Sequence, residues 1–504
     1  YIIYRETVIM EYSTHIWLVV GTLLSVWLVS TAVSWWRLRH VPGPFIASVS
    51  WLWAPYLVLR GRGHEFLQLR KYGSVVRTGP NAVVVDDPQA LRQLNGARSL
   101  ANRDTWYSPT KMDPDQAATF SSLEIGPHDR LKAKTAAGYS GRDGGVDFVA
   151  GVDRIMKRLI DAIRSRHLSK GGDELVEVDF AHFIRYFTLD LITDIGYGQS
   201  FGFLDDMDDE YRYTEGIEQF EVLVPMLAEI PPLRHLLDSH FIASLFAPSP
   251  KGNRGIGRVL GIAHKIIHER FAGNEKDKGD MIGAFMRGGM TQRETLAESF
   301  IQILAGSDTT ALVIRTTLLY VITSPKVYQR LKQDIKAAAV DRSSPISNEQ
   351  AKGLAYFQAV MWEGYRMRPP LLFGLYKVVP PGGMTLCGVK LPGGTAVGHN
   401  NVAMMQRTDV FGRDAHLFRP ERFHECDEET RKERIRTVEL NFGFGRWQCA
   451  GKNLAMIELN KIYFELLRAF DFQIVNPVKP WVESSTTVSI QREMWVKITE
   501  ASDE

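Results

Sequence analysis

The chain has 504 residues, 45% hydrophobic and 23% charged, a globular rather than a disordered or fibrous composition. Sixty Lys and Arg against 58 Asp and Glu leave a net charge of +2, so charge makes no case for a nucleic-acid partner. Three cysteines, Cys387, Cys426 and Cys449, are too few for a disulfide scaffold and suit a reducing compartment.

A short segment, 1–15, holds Met10, a candidate start. Ile16 to Trp36 then reads IWLVVGTLLSVWLVSTAVSWW without a charge, close to the roughly 20 apolar residues that cross a bilayer as a helix. Trp17 and Trp35-Trp36 suit the two interfaces, and Arg37, Arg39 and His40 orient the downstream chain toward the cytosol. A cleaved signal peptide would carry its charges before a shorter apolar core. A buried core helix is disfavoured by the break at Val41-Pro42-Gly43-Pro44. The expectation is a transmembrane anchor over 16–36, a basic Pro-Gly-Pro hinge over 37–44 and one large domain over 45–504.

Within that domain, Ser74 to Val85 predicts a hairpin around Gly79-Pro80-Asn81. Helical spacing runs from about 146 to 200 and again over 216–270. The latter is interrupted at Pro231-Pro232 and Pro248-Ser249-Pro250. Leu236, Leu237, Phe241, Ile242, Leu245 and Phe246 make this break apolar, which fits either core packing or a membrane-facing roof. Ser299 to Thr323 predicts a long helix. Gln302, Asp308 and Arg315 argue for a path through a soluble core rather than a bilayer. A further helix is expected over 348–367, short strands with Pro-Gly turns over 373–400, and a closing hairpin over 484–498. Helices dominate, with minor sheets.

Four motifs stand out. Ala305-Gly306-Ser307-Asp308-Thr309-Thr310 lies mid-helix, where Gly costs about 1 kcal/mol relative to Ala and Ser, Asp and Thr compete for backbone bonds. A local distortion is expected there. Glu363 and Arg366 share a helix face at i, i+3, and Phe418-Arg419-Pro420-Glu421-Arg422-Phe423 lies downstream. Last comes Phe442-Gly443-Phe444-Gly445-Arg446-Trp447-Gln448-Cys449-Ala450-Gly451, a thiol in a glycine-rich loop before a helix-favouring stretch. At a helix start, free N–H groups and the dipole favour a thiolate. A buried cysteine in an unrelated loop is the plainer alternative.

Together, in this order, the motifs resemble those of the cytochrome P450 family, the haem-thiolate monooxygenases, over roughly residues 41–498. The family pattern Phe-x-x-Gly-x-(basic)-x-Cys-x-Gly is matched by Phe442, Gly445, Cys449 and Gly451, with Trp447 where Arg or His is usual and Arg446 beside it. The resemblance implies a mainly α fold with small β-sheets, preceded here by the anchor. It implies haem b with Cys449 as axial ligand to the iron, and a cofactor site that also includes Phe442, Gly443, Trp447, Arg446, Gly451 and Ala305. It makes Asp308 a proton relay from solvent and Thr309 the group that positions a proton or water beside the oxygen. Glu363, Arg366 and Arg422 become a buried structural network. His128, Lys132 and Lys377 stand where the family holds its propionate donors, with Arg130 a competing candidate. All depart from the usual type, yet are expected to donate hydrogen bonds. Ile301, Leu371, Leu372 and Phe373 would line an apolar substrate pocket.

The implied reaction inserts one atom of O2 into an apolar small molecule. Electrons would come from NADPH through cytochrome P450 reductase, with cytochrome b5 as a further partner. The implied location is the endoplasmic reticulum membrane, single-pass, with the domain cytosolic. The sequence is similar to fungal members that tailor terpenoids, polyketides or alkaloids. An isomerase or dehydratase that does not use O2, and a non-catalytic membrane haem protein, are the alternatives.

Overall fold

The computed structural model describes residues 2–141, 146–170, 175–206, 212–237, 252, 255–338, 340–341 and 343–501. Helix α1, Ile2–Arg37, does not stop at the apolar segment but extends through Arg5, Glu6 and Glu11. Among the described residues no helix is long and apolar enough to cross a membrane, so the expected spanning segment is not borne out. The C-terminal half of α1 does expose large apolar side chains, including Val26, Trp27, Val29, Val33 and Trp36. Its end is tied to the domain. Arg77 Nη2 donates to Ser34 O at 3.0 Å, and Arg37 Nη2 donates to Gly393 O at 2.6 Å.

The β-branched runs pair as expected in the first hairpin, β1 (Val75–Gly79) with β2 (Ala82–Val85), Val76 opposite Val84. Later strands are β3 (Glu177–Asp179), β4 (Phe373–Val378), β5 (Met384–Leu386), β6 (Val389–Leu391), β7 (Ala396–Asn400), β8 (Phe470–Ile474), β9 (Val482–Ser485), β10 (Ser489–Arg492) and β11 (Trp495–Glu500). The largest sheet has the order β1-β2-β7-β4, with β2 and β7 parallel. The other sheets are β3-β11-β8, β9-β10 and β5-β6. The closing hairpin is shorter than 484–498. Only β9 and β10 pair, because a left-handed Glu493 (φ 57°) turns the chain away and β11 joins β3 and β8.

The helices that build the site are α2 (Ile125–Ser140), α3 (Phe180–Tyr197), α4 (Tyr213–Ala228), α5 (Gln292–Ile322), α6 (Ala355–Met367) and α7 (Lys452–Ala469). α5 begins before Ser299 because Thr291 and Glu294 form a capping box. It then runs through the core, with Leu312, Ile314 and Leu318 buried. Its neighbours come close where side chains are small. A Cβ on Gly364 of α6 would lie 2.1 Å from Thr317 Oγ1, so only glycine allows that approach. The helix expected over 348–367 is two, Asn348–Gly353 and α6, split at an extended Leu354. The apolar stretch after α4 begins in a short helix, Pro231–Leu237, and from 238 to 251 lies outside the described residues.

Glu363 and Arg366 of α6 meet Arg422 in the interior, all three fully buried. Arg366 Nε donates to Glu363 Oε2 at 2.7 Å and Nη2 to Oε1 at 2.8 Å, while Arg422 Nε reaches Oε1 at 3.4 Å. Arg366 Nη1 also donates to the carbonyls of Met405 and Ala415. This ties α6 to the segment that leads into the cysteine loop.

Candidate active site

The cysteine loop closes tightly because two of its glycines take positive φ. Gly445 (φ 61°) is the stricter of them, since a Cβ there would sit 2.5 Å from Asn95 O. Cys449 N–H donates to Phe442 O at 2.7 Å, and α7 starts three residues on. The thiol opens onto a cavity of about 350 Å³. Burial pushes the thiol up, opposed by the N–H groups of Gly451 and Lys452 and by the charges of Lys132 and Lys452. The helix start alone therefore does not make the free thiol a thiolate. Binding to a metal would, because coordination deprotonates a thiol outright.

Phe442, Gly443, Trp447 and Gly451 line this cavity together with Cys449. Arg446 does not. It turns outward to Asp129 Oδ2 (2.6 Å) and Ala97 O (2.9 Å). Lys132 is likewise absent from the lining. Its Nζ donates to Arg446 O at 2.5 Å and Gln448 O at 3.3 Å, so it braces the loop from behind. Arg130 is exposed. His128 lines the cavity, but burial and the nearby Arg103 push it down to about 4, so the ring is neutral. Its Nδ1 lies 2.9 Å from Asp129 Oδ1, an acceptor, which takes the one ring proton. The ring then offers its face to Trp447, with centroids 4.3 Å apart, rather than a donor to the cavity.

Lys377 and Arg103 form the cationic end of the cavity. Sequence reasoning missed Arg103, which sits in an unremarkable polar stretch. An isolated bridge pairs Arg103 with Lys377 of β4, and the ladder is irregular between Gly374 and Lys377. Lys377 Nζ lies 3.7 Å from the Trp447 ring centroid and the Arg103 guanidinium 4.6 Å from it. Arg103 Nη1 donates to Thr119 O at 2.6 Å. Lys377 Nζ, Arg103 Nε and Trp447 Nε1 are buried without hydrogen-bond partners. Among the described residues neither cation forms an ion pair, and burial beside Arg103 holds Lys377 well below the usual lysine range. A buried guanidinium with a spare donor, beside a lysine that needs a negative partner to hold its charge, calls for an anion.

Ala305, Asp308 and Thr309 enter the cavity from α5. The expected distortion does not interrupt this helix, which is α-helical from Gln292 to Ile322. The hydroxyls are absorbed within it. Ser307 Oγ donates to Ile303 O at 2.8 Å and Thr309 Oγ1 to Ala305 O at 2.6 Å. Asp308 is 6% exposed, and its Oδ1 lies 2.7 Å from Nε of Arg185 on α3. Arg185 also approaches Glu218 of α4 at 3.9 Å, and Glu218 meets the half-buried Arg492 at 2.6 Å, so a charge ladder runs outward from Asp308. A signal for Arg185 was available, since a lone arginine in the apolar run Phe180 to Leu191 must find a partner.

Ile301 and Leu371 line the cavity as expected, with Leu304, Phe220 and Val488. Leu372 and Phe373 do not. Leu372 is 2% exposed, and Phe373 stacks on Phe66 with centroids 3.6 Å apart, in the core beneath the four-stranded sheet. Phe373 opens β4 and is held by this stack, and Leu372, just before the strand, is buried in the same core cluster.

The cavity fits haem. It offers an open thiol, donors without partners for two propionates, and apolar walls between them. The comparisons agree. The model of the cytochrome P450 family matches residues 43–496, and the chain belongs to that family. It is 40% identical over 481 residues to cytochrome P450 monooxygenase ABA1 of Pyricularia oryzae, covering 93% of this chain and 94% of that protein. It is 39% identical over 472 residues to cytochrome P450 monooxygenase aba1 of Botryotinia fuckeliana, 92% of each chain. Identity to cytochrome P450 monooxygenase mfmA of Annulohypoxylon moriforme is 29% over 491 residues, 93% of each. The chain is a cytochrome P450 monooxygenase, an oxidoreductase of haem-thiolate type.

Proposed function

We propose that this protein inserts one oxygen atom from O2 into an apolar small molecule, a secondary metabolite of terpenoid, polyketide or alkaloid type, using electrons from NADPH. The observation that carries this reading is one cavity lined by the Cys449 thiol, by Arg103 and Lys377, each with a buried donor left free, and by the Asp308-Thr309 pair. Cys449 would hold haem, which when bound would supply the activation of dioxygen. Arg103, Lys377 and Trp447 would hold its propionates. Ile301, Leu304 and Leu371 exclude water and receive the apolar substrate. Thr309 Oγ1 holds a proton at the cavity surface and Asp308 replaces it, while Arg185, which stays protonated, holds Asp308 in place.

The electron donors are NADPH-cytochrome P450 reductase and cytochrome b5. The location is the endoplasmic reticulum membrane, with the domain on the cytosolic side. The exposed apolar side chains of α1, together with Phe45, Ile46, Leu52 and Leu59, support a membrane-facing surface. The test is turnover with reductase, NADPH and isotopically labelled O2 against a panel of the three substrate classes. The expected product carries one labelled oxygen atom. Conversion that proceeds without O2 would favour the isomerase instead.

A further inference from the structure

α4 carries a carboxyl group that the roles above leave unused. Glu221 lines the cavity, is 8% exposed, and buries Oε2 without a hydrogen-bond partner. Among the described residues it makes no ion pair, whereas Glu218, one turn earlier, reaches Arg185 and Arg492. Among the described residues, the buried cations whose charge it feels, Arg185 and Arg315, do not reach it at ion-pair distance, although each keeps a side-chain N–H without a hydrogen-bond partner. Arg185 binds Asp308 at 2.7 Å, and Arg315 donates to Ala181 O at 3.2 Å. A bare buried carboxylate is costly. Burial and, after it, the charge of Asp308 push Glu221 up, which favours the neutral acid. A neutral carboxyl keeps one O–H donor and a carbonyl acceptor. Around it on α4, Phe220, Val224, Pro225 and Ala228 make the same wall apolar.

We propose that Glu221 recognises a hydroxyl or carbonyl oxygen on an otherwise apolar substrate. The substrate class is then an already oxygenated skeleton, and a preceding reaction must install an alcohol or ketone. Recognition rests on satisfiability. A hydrocarbon leaves the carboxyl unpaired, and a site built to hydrogen-bond a group rejects the analogue that lacks it. The inference rests on reading this cavity as the substrate chamber.

The test uses the haem-loaded full chain and three probes, dodecane, dodecan-1-ol and dodecan-2-one, with affinities read from Soret titrations. In Glu221→Leu the ratio of oxygenated-probe to dodecane affinity is expected to fall about 10-fold, the upper end for one neutral hydrogen bond. Glu221→Gln, which keeps a donor and an acceptor, is expected to retain most of the ratio. An unchanged carbon monoxide spectrum certifies that each variant is folded. An unchanged ratio in Glu221→Leu would overturn the inference alone. If wild type binds none of the probes, the chamber reading fails and takes the inference with it.

Discussion

Glu363→Ala is expected to destabilise the protein by about 3–5 kcal/mol, the cost of breaking a buried ion pair by removing one partner. Glu363 is fully buried, takes both bonds from Arg366, and accepts the Arg419 N–H at 2.8 Å. Without it, Arg366 loses the only carboxylate it meets among the described residues and is left mainly with carbonyl oxygens. Arg422 keeps Asp414 at 2.7 Å, so the deficit falls mainly on Arg366. Against a typical total stability of about 5–15 kcal/mol, that loss is large. The measurement is thermal or urea unfolding of the haem-loaded protein, beside Glu363→Gln, which retains an acceptor and should lose less. A wild-type midpoint in Glu363→Ala would show that the carbonyls alone satisfy Arg366.

Asp308→Asn is expected to slow product formation by roughly 10²-fold, the lower range for losing a positioned proton-transfer group. The amide keeps the shape but cannot carry a proton through an ionisation cycle. Arg185 loses the charge of its 2.7 Å partner but still faces an amide oxygen, and it keeps Glu218 at 3.9 Å, so the fold should survive. The check is NADPH-dependent turnover with an unchanged carbon monoxide spectrum, which separates lost proton delivery from lost haem. Turnover at the wild-type rate would move the relay away from this residue.

The parts of the site that rest on short-range spacing are legible in the sequence. Gly445 and Cys449 lie within one loop, Asp308 and Thr309 on one helix turn, and Glu363 and Arg366 one turn apart. Interactions between distant segments are harder to read. Arg103 meets Lys377 only through an isolated bridge between remote stretches, and Glu221 reaches the cavity only because α4 packs over it. Lys132 and Arg446 show the same limit. Both carry the expected charge, but loop carbonyls and Asp129 engage them first. Leu372 and Phe373 stand next to Leu371 in sequence, yet both pack into the core, Phe373 against Phe66 from a remote stretch. At the N-terminus the apolar run is plain, but the helix that contains it extends well beyond that run.

The most direct test is a carbon monoxide difference spectrum of the reduced, haem-loaded protein beside Cys449→Ala. A thiolate-type Soret band in the wild type, absent from the folded variant, is the predicted result, because Cys449 is the cysteine that opens onto the cavity. The same band in both proteins, or haem binding by neither, would contradict ligation by Cys449.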